Sequence, residues 1–130
     1  MPRVTEPGRA EILISSYGKK FPRQMRAQYE VDVTNFRDPL GQKSMRNLTG
    51  IHMTVRQFIR DDDRFKPLIE TLWMQTRDQL GSQRSTYISF GIMDFHGSHT
   101  AVAVAEELAD QLSTAGYSVE VKHLNLGGGK

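Results

Sequence analysis

Asp94, His96, Ser98, His99 and Thr100 fall within seven residues, with Gly97 among them, and they include half of the four histidines of this 130-residue chain. An apolar run ending at Ile92 precedes them, and a helical pattern from about Ser98 to Ala115 follows, stopped by Gly116. A strand that feeds a helix through such a loop presents the helix's unpaired N–H groups, and the positive end of its dipole, to whatever occupies the loop. Three chemistries suit these residue types. A phosphate could sit on the backbone N–H groups, with Gly97 allowing close approach, Ser98 or Thr100 offering a hydroxyl and His99 donating. Asp94, His96 and His99 are also an oxygen and nitrogen set that zinc or iron accepts, though without helical HExxH spacing. In the third reading His99 caps or packs, His96 faces solvent, and no ligand binds. A hydrolytic triad has little support, because Ser98 lies in no GxSxG elbow. The loop also lacks a Walker lysine, and no cofactor motif is present.

The elements that must position this loop can be read along the chain. Glu11–Ser15 is an apolar run suited to a buried strand, broken by Gly18. Tyr29, Val31 and Val33 alternate with polar residues as a second strand, followed by a long irregular segment with Phe36 and Leu48 as anchors. Thr54–Gln57 fits a capping box opening a short helix to about Arg60. The Asp61-Asp62-Asp63 triplet suits the N-terminus of the next helix, which carries Phe65, Leu68, Ile69, Leu72, Trp73 and Leu80 on one apolar stripe and ends at Gly81. Trp73 is expected in the core. Tyr87–Ile92 is the third strand. The last helix groups Ala101, Ala105, Leu108 and Leu112, and Tyr117–His123 alternates as a fourth strand with one solvated face, suited to a sheet edge. Strands separated by helices imply an α/β fold, a mostly parallel four-stranded sheet flanked by helices. Ligands of such sheets bind outside the carboxyl ends of the strands, where Met93–His99 must lie.

Composition narrows the function classes. Apolar residues make up 38% of the chain, with eleven glycines outside that share, which suits one globular domain. A flexible lead-in (1–9), a single domain (10–126) and a glycine-rich flexible tail (127–130) are expected. No run approaches the ~18 apolar residues of a membrane helix, and the opening MPRVTEPGRA is not a signal peptide, so the expected location is the cytoplasm. The absence of cysteine excludes disulfides and thiolate chemistry. Net charge is +2, but residues 17–46 hold seven lysines and arginines against three acids. This basic segment suits phosphate or RNA, or is simply a solvated face.

The order of landmarks resembles the C-terminal domain of the RapZ family, RNase adapter proteins of bacterial amino-sugar control. The residues that carry the resemblance are Ser16-Tyr17-Gly18-Lys19, Val31-Asp32-Val33 with Asp38-Pro39, and Leu48-Thr49-Gly50. They continue with His99, Val102, Ala105-Glu106, Leu108-Ala109, Gly116-Tyr117, Val119 and Val121-Lys122-His123. The resemblance implies an α/β domain like the sugar-phosphate-binding part of phosphofructokinase, one that senses glucosamine-6-phosphate, binds small regulatory RNA, forms oligomers and has no known chemistry of its own. The family's kinase-like nucleotide-binding domain has no counterpart in these residues, so ATP binding is not carried over. The family's anion loop, Gly-Cys-Thr-Gly-Gly-x-His-Arg-Ser, matches at Gly91, Gly97 and His99. It departs at Thr100, where the arginine would stand, and at Asp94, which adds negative charge. Leu40 replaces the histidine after Asp-Pro, and the basic tail is reduced to Lys122, His123 and Lys130.

The leading expectation is a non-enzymatic adapter domain without cofactor. It would recognise a phosphorylated small molecule, an amino-sugar phosphate or nucleotide-like anion, through Gly97, Ser98, His99 and Thr100 with Lys19, Lys20 or Arg37 adding charge. The alternative is an RNA- or protein-binding adapter working through Lys19, Lys20, Arg23, Arg26, Arg46, Lys122 and His123. A protein partner or homo-oligomer is expected in either case, and metal-dependent chemistry at Asp94, His96 and His99 ranks last.

Overall fold

A computed structural model describes residues 11–21, 27–81 and 86–126. The expected lead-in and tail, together with Arg23 and Arg26, lie outside the described residues. Four strands, β1 (Ile12–Gly18), β2 (Tyr29–Asp32), β3 (Ile88–Asp94) and β4 (Val119–His123), form one all-parallel sheet in the order β2-β3-β1-β4. Ile12, Ile14, Ile88, Phe90 and Ile92 have no exposed surface, as central parallel strands require. The edge position of β4 matches the alternation of its sequence, with Lys122 exposed and Val119 buried.

The helices are α1 (Met53–Arg60), α2 (Phe65–Thr76) and α3 (Thr100–Thr114), with two 3-10 turns at Pro39–Gly41 and Lys43–Met45. Helix α3 lies on β1, β3 and β4 and is in turn covered by α1 and α2. It is therefore a middle layer, and every residue from Thr100 to Ala109 is buried. Alanine at 101, 103, 105 and 109 gives a thin helix that can approach neighbours on two sides. The expected face of Ala101, Ala105, Leu108 and Leu112 is indeed in the core, but so is the opposite face.

That opposite face carries charge. Arg56 Nε on α1 donates to Glu107 Oε2 at 2.5 Å, and its Nη2 donates to Asp110 Oδ2. Arg60 Nη1 reaches both Glu107 oxygens at 3.1 Å, and Arg56 Nη1 lies 4.0 Å from Glu106 Oε1. Glu106 continues to His123 Nε2 at 2.6 Å, and His123 Nδ1 to Ser16 Oγ at 2.6 Å. One polar chain thus links α1, α3, β4 and β1 through the interior. Burial of carboxylates is tolerable only with such pairing.

Several local expectations are corrected. The cap of α1 is His52, whose Nδ1 accepts the Thr54 N–H at 3.2 Å, so Thr54 is a donor position and not the cap. Asp62 acts at the start of α2, as expected, and also reaches beyond it. Buried at 4% exposure, it accepts the backbone N–H groups of Arg37 (2.7 Å) and Arg64 (2.9 Å), pinning the loop after β2 to the α1–α2 turn. Burial pushes its carboxyl up, but those N–H groups and the Arg64 guanidinium outweigh it and hold the net shift below the usual range. Helix α2 ends at Thr76 and widens into a π turn over Arg77–Gly81. Trp73 is half-buried beside Arg77, whose guanidinium lies 5.2 Å from its ring, and it is not part of the core cluster. The third strand runs two residues further than its apolar pattern, so Asp94 ends a strand and does not lie in the loop.

Candidate functional site

The loop after β3 is fixed on three sides. Lys19 N–H donates to the Asp94 carbonyl at 2.8 Å and Lys20 N–H to the Phe95 carbonyl at 3.2 Å, tying the loop to the exit of β1. Gly97 adopts φ +81°, and a Cβ there would run into the Gly18 nitrogen and the Tyr17 carbonyl carbon. Gly18 leaves equally little room, because a Cβ on it would meet His96 backbone atoms at 2.5 and 2.6 Å. On the third side Gly50 N–H donates to the Ser98 carbonyl at 2.9 Å, and a Cβ on Gly50 would collide with His99 and the first turn of α3. The Leu48-Thr49-Gly50 motif therefore acts by close backbone approach to this loop.

Asp94, at the end of β3, organises the loop from its base. One carboxylate oxygen accepts the Gly97 N–H, and the other accepts the Ala101 N–H at 3.0 Å. His99, at the N-cap position of α3, makes no side-chain cap bond. The helix is capped by Asp94, whose charge sits where the dipole favours an anion.

A cleft of about 150 Å³ opens between this loop and the segment after β2. Its walls include Asp38 and Leu40 on one side and Asp94, His96, His99 and Thr100 on the other. It lies at the carboxyl end of β3, where the sequence placed it. His99 is half-buried, with Nδ1 3.1 Å from Ser98 Oγ. Burial pushes its pKa below the usual histidine value. Asp94 and Asp38 oppose that shift, and His96 adds to it. Phe95 projects from the loop tip, 55% exposed, with the His96 ring edge-on at 5.0 Å.

The expected residues separate into three groups. His99 and Thr100 line the cleft, Ser98 lies behind His99, and Gly97 packs against Gly18. The expected cations do not converge there. Lys19 Nζ pairs with Asp32 at 2.8 Å, Lys20 lies over the Phe21 ring, and Arg37 stacks on Phe58 at 4.6 Å while approaching Asp62. Asp32 is lowered to about 2: burial opposes the shift, and bonds from Lys19 and Thr34 outweigh it. Among the described residues, no lysine or arginine lines the cleft. In the nucleic-acid set, Arg46 is exposed with Nε donating to the Leu40 carbonyl at 3.2 Å, and Lys122 approaches Glu120 at 3.9 Å. Both ring nitrogens of His123 are engaged internally.

The metal-dependent reading finds no geometric support. Among the described residues, no three His, Asp or Glu side chains are placed to hold a metal ion, so Asp94, His96 and His99 do not assemble as a ligand set. The Ser16–His123–Glu106 chain has the composition of a nucleophilic relay, yet Ser16 is 0% exposed and no substrate can reach it. Sequence reasoning missed Asp38 and Leu40 as cleft residues, although Asp38-Pro39 already marked a turn after the second strand.

The RapZ C-terminal domain family model matches residues 10–127. A nucleotide-binding protein of Cereibacter sphaeroides is 33% identical over 114 residues, covering 85% of this chain and 37% of that protein. The RNase adapter protein RapZ of Hamiltonella defensa is 26% identical over 125 residues, 94% of this chain and 44% of its own length. A nucleotide-binding protein of Coprothermobacter proteolyticus is 27% identical over 120 residues, 89% of this chain and 40% of its own. The chain thus spans roughly two-fifths of the length of these curated relatives. Among the described residues, no helix is long and apolar enough to cross a membrane. The all-parallel sheet, the loop locked by Gly18, Gly50 and Gly97, and a match over nearly the whole length together show that this chain belongs to the RapZ C-terminal domain family.

Proposed function

We propose that this domain is a non-enzymatic regulatory adapter whose cleft receives a phosphorylated small molecule. The observation that carries the reading is the convergence of His99 and Thr100 with the Asp38–Leu40 segment on one cleft at the carboxyl end of the sheet. His99 would donate to the anion and the Thr100 hydroxyl would accept or donate beside it, with Ser98 fixing the imidazole through Nδ1. Lys19, Lys20 and Arg37 contribute at most a distant field, because each is engaged elsewhere.

Calorimetry with amino-sugar phosphates and nucleotides tests this. Saturable binding that weakens at least tenfold in His99→Ala supports it; no heat, or unchanged affinity in the variant, rejects it. Burial disfavours the charged imidazole, and a bound anion would favour it, so binding and protonation of His99 would be linked. Affinity for sulfate, whose own charge is constant over this range, should rise as pH falls from 8 toward 6.

A second reading has its own support. Lys19, Lys20 and Arg46 are exposed near the rim that carries the cleft, and the Hamiltonella relative is called an RNase adapter. Through that surface the domain would engage RNA or a protein partner. RNA affinity would fall steeply with salt because phosphate contacts release counterions, whereas weak salt dependence points to a protein.

A further inference from the structure

We propose that Asp94 is a resident anion, holding from within the chain the position a ligand's phosphate would take at the start of α3, and that it weakens the cleft's hold on ligands of high negative charge. The inference rests on the small-molecule reading of the cleft given above.

Both carboxylate oxygens of Asp94 carry backbone N–H groups, from Gly97 on one side and from Ala101 at 3.0 Å on the other. These are the donors with which an α-helix N-terminus and its glycine loop ordinarily bind an external anion. The N-cap residue supplies no competing cap, so Asp94 alone fills that role for α3. Although only 8% exposed, Asp94 also forms part of the cleft wall, so its charge lies close to whatever enters. Asp38 stands in the same cleft, with one oxygen on the Leu40 N–H at 2.9 Å. Among the described residues, no lysine or arginine in the lining offsets the two carboxylates. The half-buried His99 supplies a donor, but its burial disfavours the charged form. A phosphomonoester dianion would therefore meet occupied N–H donors and two negative side chains, whereas a monoanion or a hydroxyl-rich neutral ligand meets less repulsion.

The test uses the full chain, its Asp94→Asn and Asp94→Ser variants, and titration with sulfate and with glucose 6-phosphate at pH 8. Either variant, with native circular dichroism, should bind both probes at least tenfold more tightly than the unsubstituted chain. Equal or weaker binding in folded variants overturns the proposal. If the unsubstituted chain binds glucose 6-phosphate and the variants bind it no better, only this inference fails. If none binds, the phosphorylated-ligand reading falls with it, and if only the variants bind, Asp94 is a block and the unsubstituted domain has another ligand. An arm independent of the variants compares dimethyl phosphate, a monoanion, with methyl phosphate, a dianion at this pH, on the unsubstituted chain. The monoanion should bind at least as tightly, and a clear preference for the dianion overturns the proposal.

Discussion

Helix α3 meets negative charge in two places and handles it in two ways. Along its middle, Glu106, Glu107 and Asp110 are partnered by side chains, the guanidinium groups of Arg56 and Arg60 from α1 and the imidazole of His123 from β4. At its N-terminus Asp94 is held by backbone N–H groups alone. The first arrangement consumes the available cations in the interior and joins layers of the fold. The second leaves a cleft lined by polar donors and two carboxylates, with no lysine or arginine in the lining among the described residues. Charge in this domain serves architecture at the helix interface and, in the function proposed above, recognition at the loop.

The largest expected effect comes from breaking the interior arrangement. Arg56→Ala leaves three carboxylates without their shared partner, two of them buried, and should cost about 3–5 kcal/mol, the usual result of removing one member of a buried pair. Urea unfolding measures it; a loss under ~1 kcal/mol would mean that the network is not a joint between α1 and α3. The loop is expected to be less costly to disturb. Gly97→Ala imposes a positive φ on a residue with a Cβ, and its Cβ has no room against the exit of β1. A loss of about 1–3 kcal/mol is expected, accompanied by weaker ligand binding, whereas Arg56→Ala variants that remain folded should keep the cleft's affinity. A smaller effect concerns acid. The native carboxyl of Asp62 titrates below its unfolded value, so its contribution is complete above about pH 4 and is lost as pH falls through the native pKa. Asp62→Asn should lower stability at pH 7 and flatten the loss below about pH 4 seen in equilibrium unfolding.

The element order, the parallel sheet and the position of the loop were legible because apolar periodicity and glycine punctuation report directly on strands and turns. Asp94 was visible as a charge but not as a cap: its acceptor role depends on Gly97 and Ala101 folding back on it, which no spacing rule states. The double burial of α3 was also hidden. Spacing marked only Ala101, Ala105, Leu108 and Leu112 as a buried face, and Glu106 and Glu107 meet Arg56 and Arg60 only once α1 packs across α3. Trp73 misled for a related reason. Its place on the apolar stripe was clear, but the stripe is wider than the contact α2 makes, and the indole was left at the rim beside Arg77. The expected convergence of Lys19 and Arg37 on the loop failed because nearer partners, Asp32 in one case and Phe58 with Asp62 in the other, hold them.

The most direct test is an amide chemical-shift map of the domain titrated with a sugar phosphate. The account predicts saturable shifts confined to Thr34, Asp38, Leu40 and His96–Thr100, and their loss in His99→Ala. Shifts centred on Lys19, Lys20 and Arg46 with the cleft silent, or no shifts at any concentration, would contradict it.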